Sequence, residues 1–176
     1  MDALAQFAAA FPDTAKDIRI NLTAVLQQSS LQPAQRFGVA LAVAHAVRDQ
    51  ELAAAIVAAA GEQLPAASAQ DAQAAAALMA MNNVYYRFRH MVGKPEYEQQ
   101  PARLRMQRLA APASSKLDFE LFALAVSAVN GCESCVRAHE RVVTDGGLTP
   151  AHVNDAIRIA ATVHAAAVAL RLPVSA

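Results

Sequence analysis

Apolar residues recur along this chain at the spacing of one helix face. Leu4, Phe7 and Phe11 are three and four residues apart, and Ile18 and Leu22 continue the pattern in the next segment. Such spacing is typical of amphipathic α-helices, whereas half-buried strands alternate apolar and polar residues. Because that alternation is lacking in this sequence, the pattern predicts an all-α protein.

Residues that start and stop helices divide this pattern into elements. Pro33 suits the first turn of a helix, and Gly61 suits the position just after another. Ser68, with Asp71 three residues later, resembles a capping box and predicts the start of a long helix. Gly93 is expected to end that helix.

The second half of the chain predicts the same order of helices as the first half. The sequence Ala-Leu-Ala-Val occurs at residues 40–43 and again at 123–126, and a break, a shorter helix and a capped long helix follow each time. This order predicts a single domain over residues 1–176, built from a duplicated helical unit. The first repeat, at about 30–93, has no cysteine, and the second, at about 114–172, holds both.

Composition and charge narrow the function classes. Apolar residues make up 55% of the chain, and 15 basic residues balance 15 acidic ones. This balance argues against a nucleic-acid-binding face, and the cluster of Arg103, Arg105 and Arg108 is interpreted as a solvated helix surface. No apolar run reaches the roughly 18 residues of a membrane span. The start of the chain lacks the features of a secretory signal, so a cytoplasmic location is expected.

The candidate chemistry lies in a C-x-x-C sequence formed by Cys132 and Cys135. In a reducing compartment such cysteines are more often reactive or metal-binding than structural. If a helix begins at Gly131, both thiols lie in its first turn, where free N–H groups and the helix dipole favour a thiolate. His139 then lies one turn beyond Cys135 and can accept its proton. Glu120, on the preceding helix, can orient His139 or relay a proton to Cys132.

Three interpretations of this spacing stay open, of which dithiol–disulfide chemistry is favoured. A metal site would use Cys132, Cys135 and His139, with a fourth ligand from His90, His152 or His164. Because structural zinc usually holds small, loop-rich units together, the ample apolar content of this chain argues against it. In the third interpretation the two cysteines are simply packed in the core.

These residues resemble the signature of the alkylhydroperoxidase AhpD family, within the carboxymuconolactone-decarboxylase-like superfamily. Glu120, Cys132, Cys135 and His139 reproduce its E-x11-C-x-x-C-x-x-x-H spacing, and residues 15–22 and 81–88 resemble two further family segments. One position departs, because some members carry a histidine between the cysteines where this chain has Ser134. A greater dependence on His139 and Glu120 is therefore expected here.

The resemblance implies an all-helical homotrimer that reduces organic hydroperoxides and hydrogen peroxide. By position, it implies that Cys135 becomes a sulfenic acid, that Cys132 is the proton donor and resolving thiol, and that Glu120 and His139 form a proton relay. No cofactor is expected to be bound. The implied electron donor is dihydrolipoamide on a lipoyl-bearing protein, and an AhpC-type peroxiredoxin is an implied partner. Neither nucleic acid nor a membrane is an expected partner.

The assignment of the two sulfurs and the reaction class both have alternatives. Helix-start electrostatics alone favours Cys132 as the nucleophile, whereas the His139 spacing and the resemblance favour Cys135. We take Cys135 as the sulfur that meets peroxide and Cys132 as the sulfur that a dithiol reductant attacks. The alternative function is a carboxymuconolactone-decarboxylase-like lyase, although such an enzyme needs no redox cysteines.

Two adjacent asparagines, Asn82 and Asn83, lie inside the predicted long helix, where asparagine is a poor helix former. Local capping, or hydrogen bonding between helices in the core, is the expected reason for both. Tyr85, Tyr86 and Phe88, which follow closely, are interpreted as packing or subunit contacts rather than as substrate contacts.

Overall fold

The computed structural model describes residues 1–173, and within that range it contains helices and no strand, which confirms the all-α prediction. The α-helices are α1 (Asp2–Ala8), α2 (Lys16–Gln27), α3 (Pro33–Ala46), α4 (Gln50–Ala60), α5 (Ala66–Val92), α6 (Pro95–Glu98), α7 (Gln107–Ala110), α8 (Lys116–Val129), α9 (Glu133–Asp145) and α10 (Pro150–Ala169). In the part of the chain described, none of them is long and apolar enough to cross a membrane.

Most helix ends lie where the local signals predict them. α3 begins at Pro33, and the hydroxyl of Thr149 caps α10 by accepting a hydrogen bond from a backbone N–H of its first turn. Gly93, directly after α5, has the left-handed conformation with φ 59°. Glycine adopts this conformation without the steric cost that a side chain would add.

The predicted capping box at Ser68 and Asp71 is wrong. α5 begins at Ala66, directly after its N-cap residue Pro65, and no side chain caps it. The fully buried Asp71 carboxylate instead accepts hydrogen bonds from the segment that leads into α8, namely from the backbone N–H groups of Ala113 and Ser114 and from the Ser114 hydroxyl. Long-range pairing therefore replaces the local cap that the spacing suggested.

The interpretation of the arginine cluster as a solvated surface also needs correction. Arg103 and Arg105 are exposed, but they lie in the coil before α7 rather than on a helix. Arg108, on α7, donates a hydrogen bond through Nε to Asp71 at 3.0 Å and forms an ion pair with the same carboxylate. Arg108 therefore fastens the segment around α7 to α5.

The centre of the molecule consists of α3 and α8, which are buried along most of their length. They approach closely at Gly38, because the ring of Phe122 occupies the space that a Cβ atom would need there. α5 and α10 pack against both central helices, and α9 packs against α8 and α5. This arrangement places the cysteine-bearing helix α9 directly beside the core.

The order α3–α4–α5 is repeated in α8–α9–α10, and several details correspond. Asp49 and Cys132 are the N-cap residues of α4 and α9, and they are 83 positions apart. The preceding residues, Arg48 and Gly131, both have positive φ, 62° and 66°. These correspondences support the duplicated unit, but the duplication, its repeat boundaries and the single-domain organisation stay predictions.

Candidate active site

The C-x-x-C sequence lies at the junction of α8 and α9. Gly131, with φ 66°, turns the chain between the two helices. Cys132 is the N-cap residue of α9 in an extended conformation, and Cys135 lies in the first turn, as predicted. Both sulfurs are therefore near the positive end of the helix dipole, an environment that stabilises a thiolate.

Cys132 and Cys135 form a disulfide bond, with their Cα atoms 5.3 Å apart. Cys132 is 0% exposed, whereas Cys135 is 7% exposed and lines a cavity. A molecule in that cavity can therefore meet the Cys135 sulfur, while the Cys132 sulfur has no exposed surface. This burial disagrees with the prediction that a dithiol reductant attacks Cys132.

A buried carboxylate–imidazole pair lies next to the disulfide. Glu120 Oε2 of α8 is 2.6 Å from His139 Nδ1 of α9, and both side chains are almost fully buried. His139 shares the buried face of α9 with Cys135, one turn away. Because Glu120 engages Nδ1, the other ring nitrogen is left to exchange a proton in the site. The structure thus brings together Glu120 and His139, which the sequence placed on different helices.

Ser134 occupies the position between the cysteines. Its hydroxyl oxygen lies 3.6 Å from Cys132 Sγ, and its side chain lines the same cavity as Cys135. A hydroxyl at this place can hydrogen-bond a sulfur, but it cannot take up a proton near neutral pH as an imidazole can.

A hydrogen-bond network between α5 and the end of α8 supports the turn before Cys132. Asn83 Nδ2 donates to the Ser127 hydroxyl, and Asn130 Nδ2 donates to Asn83 Oδ1, each at 2.9 Å. The Arg87 guanidinium donates to the Asn130 backbone carbonyl. The network ties α5 to the end of α8, so it fixes where α9 begins. The expected interhelical hydrogen bonding is confirmed for Asn83, and the adjacent polar pair in a helix was its only sequence signal.

The cavity at the disulfide has a volume of about 260 Å³ and lies between α5, α9 and the segment around α7. Its lining is mostly apolar, and it includes Tyr86, Met106 and Leu109. Tyr86 was interpreted as a packing or subunit contact, so its place beside Cys135 was not predicted. Met106 and Leu109 carry no sequence signal of a site, because their position depends on how the segment around α7 folds back.

The three histidines considered as a fourth metal ligand lie at separate places. His90 pairs with Glu133 at 3.5 Å, His152 accepts a hydrogen bond at the start of α10, and His164 lines another cavity on α10. Within residues 1–173, no group of three or more His, Cys, Asp or Glu side chains is arranged to hold a metal ion.

Comparison with known proteins relates this chain to one family model and to several proteins that share a name. The carboxymuconolactone decarboxylase family model matches residues 95–173. An alkyl hydroperoxide reductase AhpD from Anaeromyxobacter dehalogenans strain 2CP-C is 64% identical, with 98% of this chain and 92% of that protein aligned. Proteins of the same name from Rhodospirillum centenum and Methylocella silvestris are 50% and 46% identical, covering 92% and 90% of this chain and 87% and 89% of their own lengths.

The fold and the site define a helical protein with a C-x-x-C pair that forms a disulfide beside a buried Glu–His pair. Identity of this level over nearly the full length settles the family. The chain belongs to the alkyl hydroperoxide reductase AhpD family.

Proposed function

We propose that this protein is an alkyl hydroperoxide reductase that works through a dithiol–disulfide cycle at Cys132 and Cys135. The observation that carries the proposal is the disulfide beside the Glu120–His139 pair, with Cys135 at a mostly apolar cavity. The names of the near relatives support the same activity.

In the first step, the Cys135 thiolate attacks the terminal oxygen of the hydroperoxide. The S–O bond forms as the O–O bond breaks, which yields a Cys135 sulfenic acid and an alkoxide. His139, which took the proton of the Cys135 thiol, gives it to the alkoxide and so releases an alcohol. Glu120 holds the imidazole in place through its contact with Nδ1.

In the second step, Cys132 resolves the sulfenic acid. It donates its proton to the Glu120–His139 pair, and its thiolate attacks the Cys135 sulfur. The S–S bond forms as the S–O bond breaks, and the departing hydroxide takes the proton from His139 to become water. One hydroperoxide and two thiols thus give one alcohol, one water and one disulfide.

The electron donor, the partners and the assembly are part of the same proposal. A dihydrolipoyl protein returns the disulfide to the dithiol, an AhpC-type peroxiredoxin can share the pathway, and the chain assembles as a homotrimer. The resemblance of the site supports these assignments. A cytoplasmic location belongs with them, because that compartment keeps thiols reduced.

The proposal is tested with reduced protein from which all small thiols have been removed. One equivalent of cumene hydroperoxide should convert both cysteines to the disulfide, with loss of two hydrogens per chain by mass spectrometry and release of cumyl alcohol. Turnover should follow when dihydrolipoamide and lipoamide dehydrogenase are added, and it should exceed that with other dithiols. Free thiols that persist after peroxide addition would contradict the proposal.

The matched family model favours a second candidate, a lyase of the carboxymuconolactone decarboxylase type. This candidate gives no role to the Cys132–Cys135 disulfide. Decarboxylation of carboxymuconolactone at an equal rate by the wild type and by Cys135→Ser, without peroxide consumption, would establish it. A metal-binding module is tested in parallel, since one zinc per chain together with blocked thiols would replace the redox assignment.

A further inference from the structure

A buried asparagine in the cavity beside Cys135 has no structural task that the fold explains. Asn82 is 5% exposed and lines this cavity, and its Oδ1 atom has no hydrogen-bond partner within residues 1–173. A buried acceptor is costly to leave unpaired, and most such groups in folded proteins are satisfied. The oxygen itself has almost no accessible surface, so a donor bound in the cavity reaches it when the Asn82 amide turns toward the cavity that the residue lines.

The neighbouring asparagine, Asn83, shows that an unpaired amide oxygen is not a general property of asparagines in this helix. Asn83 lies one position further along α5, and both ends of its amide are used, by Ser127 and by Asn130. Successive residues on a helix point in directions about 100° apart, so one amide meets α8 and the other meets the cavity. The Asn83 amide therefore has a structural role, whereas the Asn82 amide oxygen has no partner in the described residues, and the two can be compared directly.

The rest of the cavity suits the organic part of a ligand. Tyr86, Met106 and Leu109 contribute apolar surface, and Cys135 and His139 provide the reacting groups. The segment that carries Met106 and Leu109 is held in place by the buried Asp71 carboxylate. Arg108, within this segment, and Ser114, which follows it, both donate hydrogen bonds to that carboxylate. The apolar wall is therefore fastened to α5, the helix that also carries Asn82.

We infer that Asn82 binds the hydroperoxyl group of the substrate and that Tyr86, Met106 and Leu109 select an organic hydroperoxide by holding its alkyl or aryl part. This inference rests on the proposed function and assigns its substrate subsites. A hydroperoxide carries its one hydrogen on the terminal oxygen, which is the atom that the Cys135 thiolate attacks. A hydrogen bond from that O–H to Asn82 Oδ1 positions the attacked oxygen. The other peroxide oxygen, which leaves as the alkoxide, makes no contact with the amide.

The same contact serves before and after the reaction. As the S–O bond forms and the O–O bond breaks, the hydrogen stays on the terminal oxygen, which becomes the sulfenic acid O–H of Cys135. Asn82 Oδ1 can therefore accept from that group in both states. His139 remains free to give its proton to the leaving alkoxide, so no proton passes through the amide.

The first test substitutes the two asparagines in turn and measures both kinetics and stability. Asn82→Leu should lower kcat/KM for cumene hydroperoxide and for hydrogen peroxide about tenfold, the effect of one hydrogen bond. It should leave the melting temperature unchanged or raise it, because it removes an unpaired buried acceptor. Asn83→Leu, the matched control, should lower the melting temperature, because Ser127 and Asn130 lose their partner. A melting temperature that falls equally in both variants, or an unchanged kcat/KM in Asn82→Leu, would overturn the inference.

The second test addresses the apolar wall. Met106→Ala combined with Leu109→Ala should lower the ratio of kcat/KM for cumene hydroperoxide to that for hydrogen peroxide about tenfold, because hydrogen peroxide has no organic part for this wall to hold. An equal loss for both peroxides, or no loss for either, would contradict the assignment of this wall.

Failure of this inference and failure of the proposed function are distinguishable. If the wild type reduces peroxide and Asn82→Leu is unimpaired, only the subsite assignment fails. If the wild type reduces no peroxide, the function fails, and the subsite is then tested with cumyl alcohol, whose hydroxyl is also a donor. Its binding to the disulfide form, followed by NMR, should weaken about tenfold in Asn82→Leu, and equal binding to both would overturn the subsite as well.

Discussion

Replacing one buried carboxylate, Asp71→Asn, tests whether the segment around α7 is held over the cavity from α5. The Asp71 carboxylate accepts hydrogen bonds from Arg108 Nε at 3.0 Å, Ala113 N at 2.9 Å, Ser114 N at 2.7 Å and Ser114 Oγ at 2.6 Å. The substitution keeps the size of the side chain but removes its charge. It also replaces one acceptor with an N–H₂ group that faces other donors.

The expected cost of Asp71→Asn is about 3 kcal/mol, because hydrogen bonds to a charged group contribute about 1.5–3 kcal/mol each and not all of them are lost. In a chain of this size such a loss lowers the melting temperature by about 6–12 °C. Thermal unfolding followed by circular dichroism measures it directly. A melting temperature within about 2 °C of the wild type at neutral pH would refute the conclusion that the Asp71 carboxylate stabilises the protein.

The pH dependence follows from the same contacts. Burial alone would raise the pKa of Asp71, but the hydrogen bonds from Ser114 and Ala113 and the charge of Arg108 outweigh it and lower that pKa. The stability that the carboxylate contributes is therefore present above its ordinary pKa and is lost as the pH falls through the lowered one. The difference in melting temperature between wild type and Asp71→Asn should accordingly shrink below about pH 4.

Asp155→Asn is the matched control. Asp155 on α10 accepts hydrogen bonds from Ser30 N at 2.7 Å, Ser30 Oγ at 2.8 Å and Arg158 at 2.8 Å, so its loss should lower the melting temperature similarly. Of the two carboxylates, however, only Asp71 binds the segment that carries Met106 and Leu109. Asp71→Asn should lower the ratio of kcat/KM for cumene hydroperoxide to that for hydrogen peroxide, and Asp155→Asn should leave the ratio unchanged. An equal ratio in both variants would show that the α7 segment is not placed by Asp71.

Four further substitutions have defined outcomes. His139→Gln should slow the single-turnover oxidation of the dithiol by roughly 10²–10⁴, and Glu120→Gln should slow it in the same direction; rates unchanged in stopped-flow experiments would remove the pair from the mechanism. Gly131→Ala should destabilise the protein by about 1–2 kcal/mol, because φ is 66° there, and an unchanged denaturation midpoint would contradict this. Gly38→Ala should cost about 1–3 kcal/mol in urea unfolding, because its methyl group meets the Phe122 ring; full stability would show that the ring can move away.

Much of the fold could be predicted because its helix ends depend on local chemistry. Pro33 and Gly93 act on their own helices through a fixed φ and a left-handed turn, and each has the predicted role. Asp71 shows the limit of such signals. Its spacing from Ser68 is that of a capping box, but its carboxylate is satisfied by Ala113 and Ser114, more than forty residues away.

The site was predictable to the extent that it lies on one helix. Cys132, Cys135 and His139 follow from spacing within α9, whereas the contact of Glu120 with His139 depends on how α8 packs against it. Asn82 and Asn83 could not be separated by sequence, because they are the same residue type in the same helix. Only the packing of α5 decides which amide meets Ser127 and which lies at the cavity.

In the proposed cycle, Cys135 is the sulfur that hydroperoxide oxidises and Cys132 resolves the product. Trapping with a sulfenic-acid reagent after one equivalent of cumene hydroperoxide tests it in two variants, each analysed by mass spectrometry of the labelled peptide. In Cys132→Ser, label should accumulate at Cys135, because the resolving thiol is gone. In Cys135→Ser, neither peroxide consumption nor label should be found. Label at Cys132 in Cys135→Ser, and none at Cys135 in Cys132→Ser, would contradict the claim and make Cys132 the nucleophile.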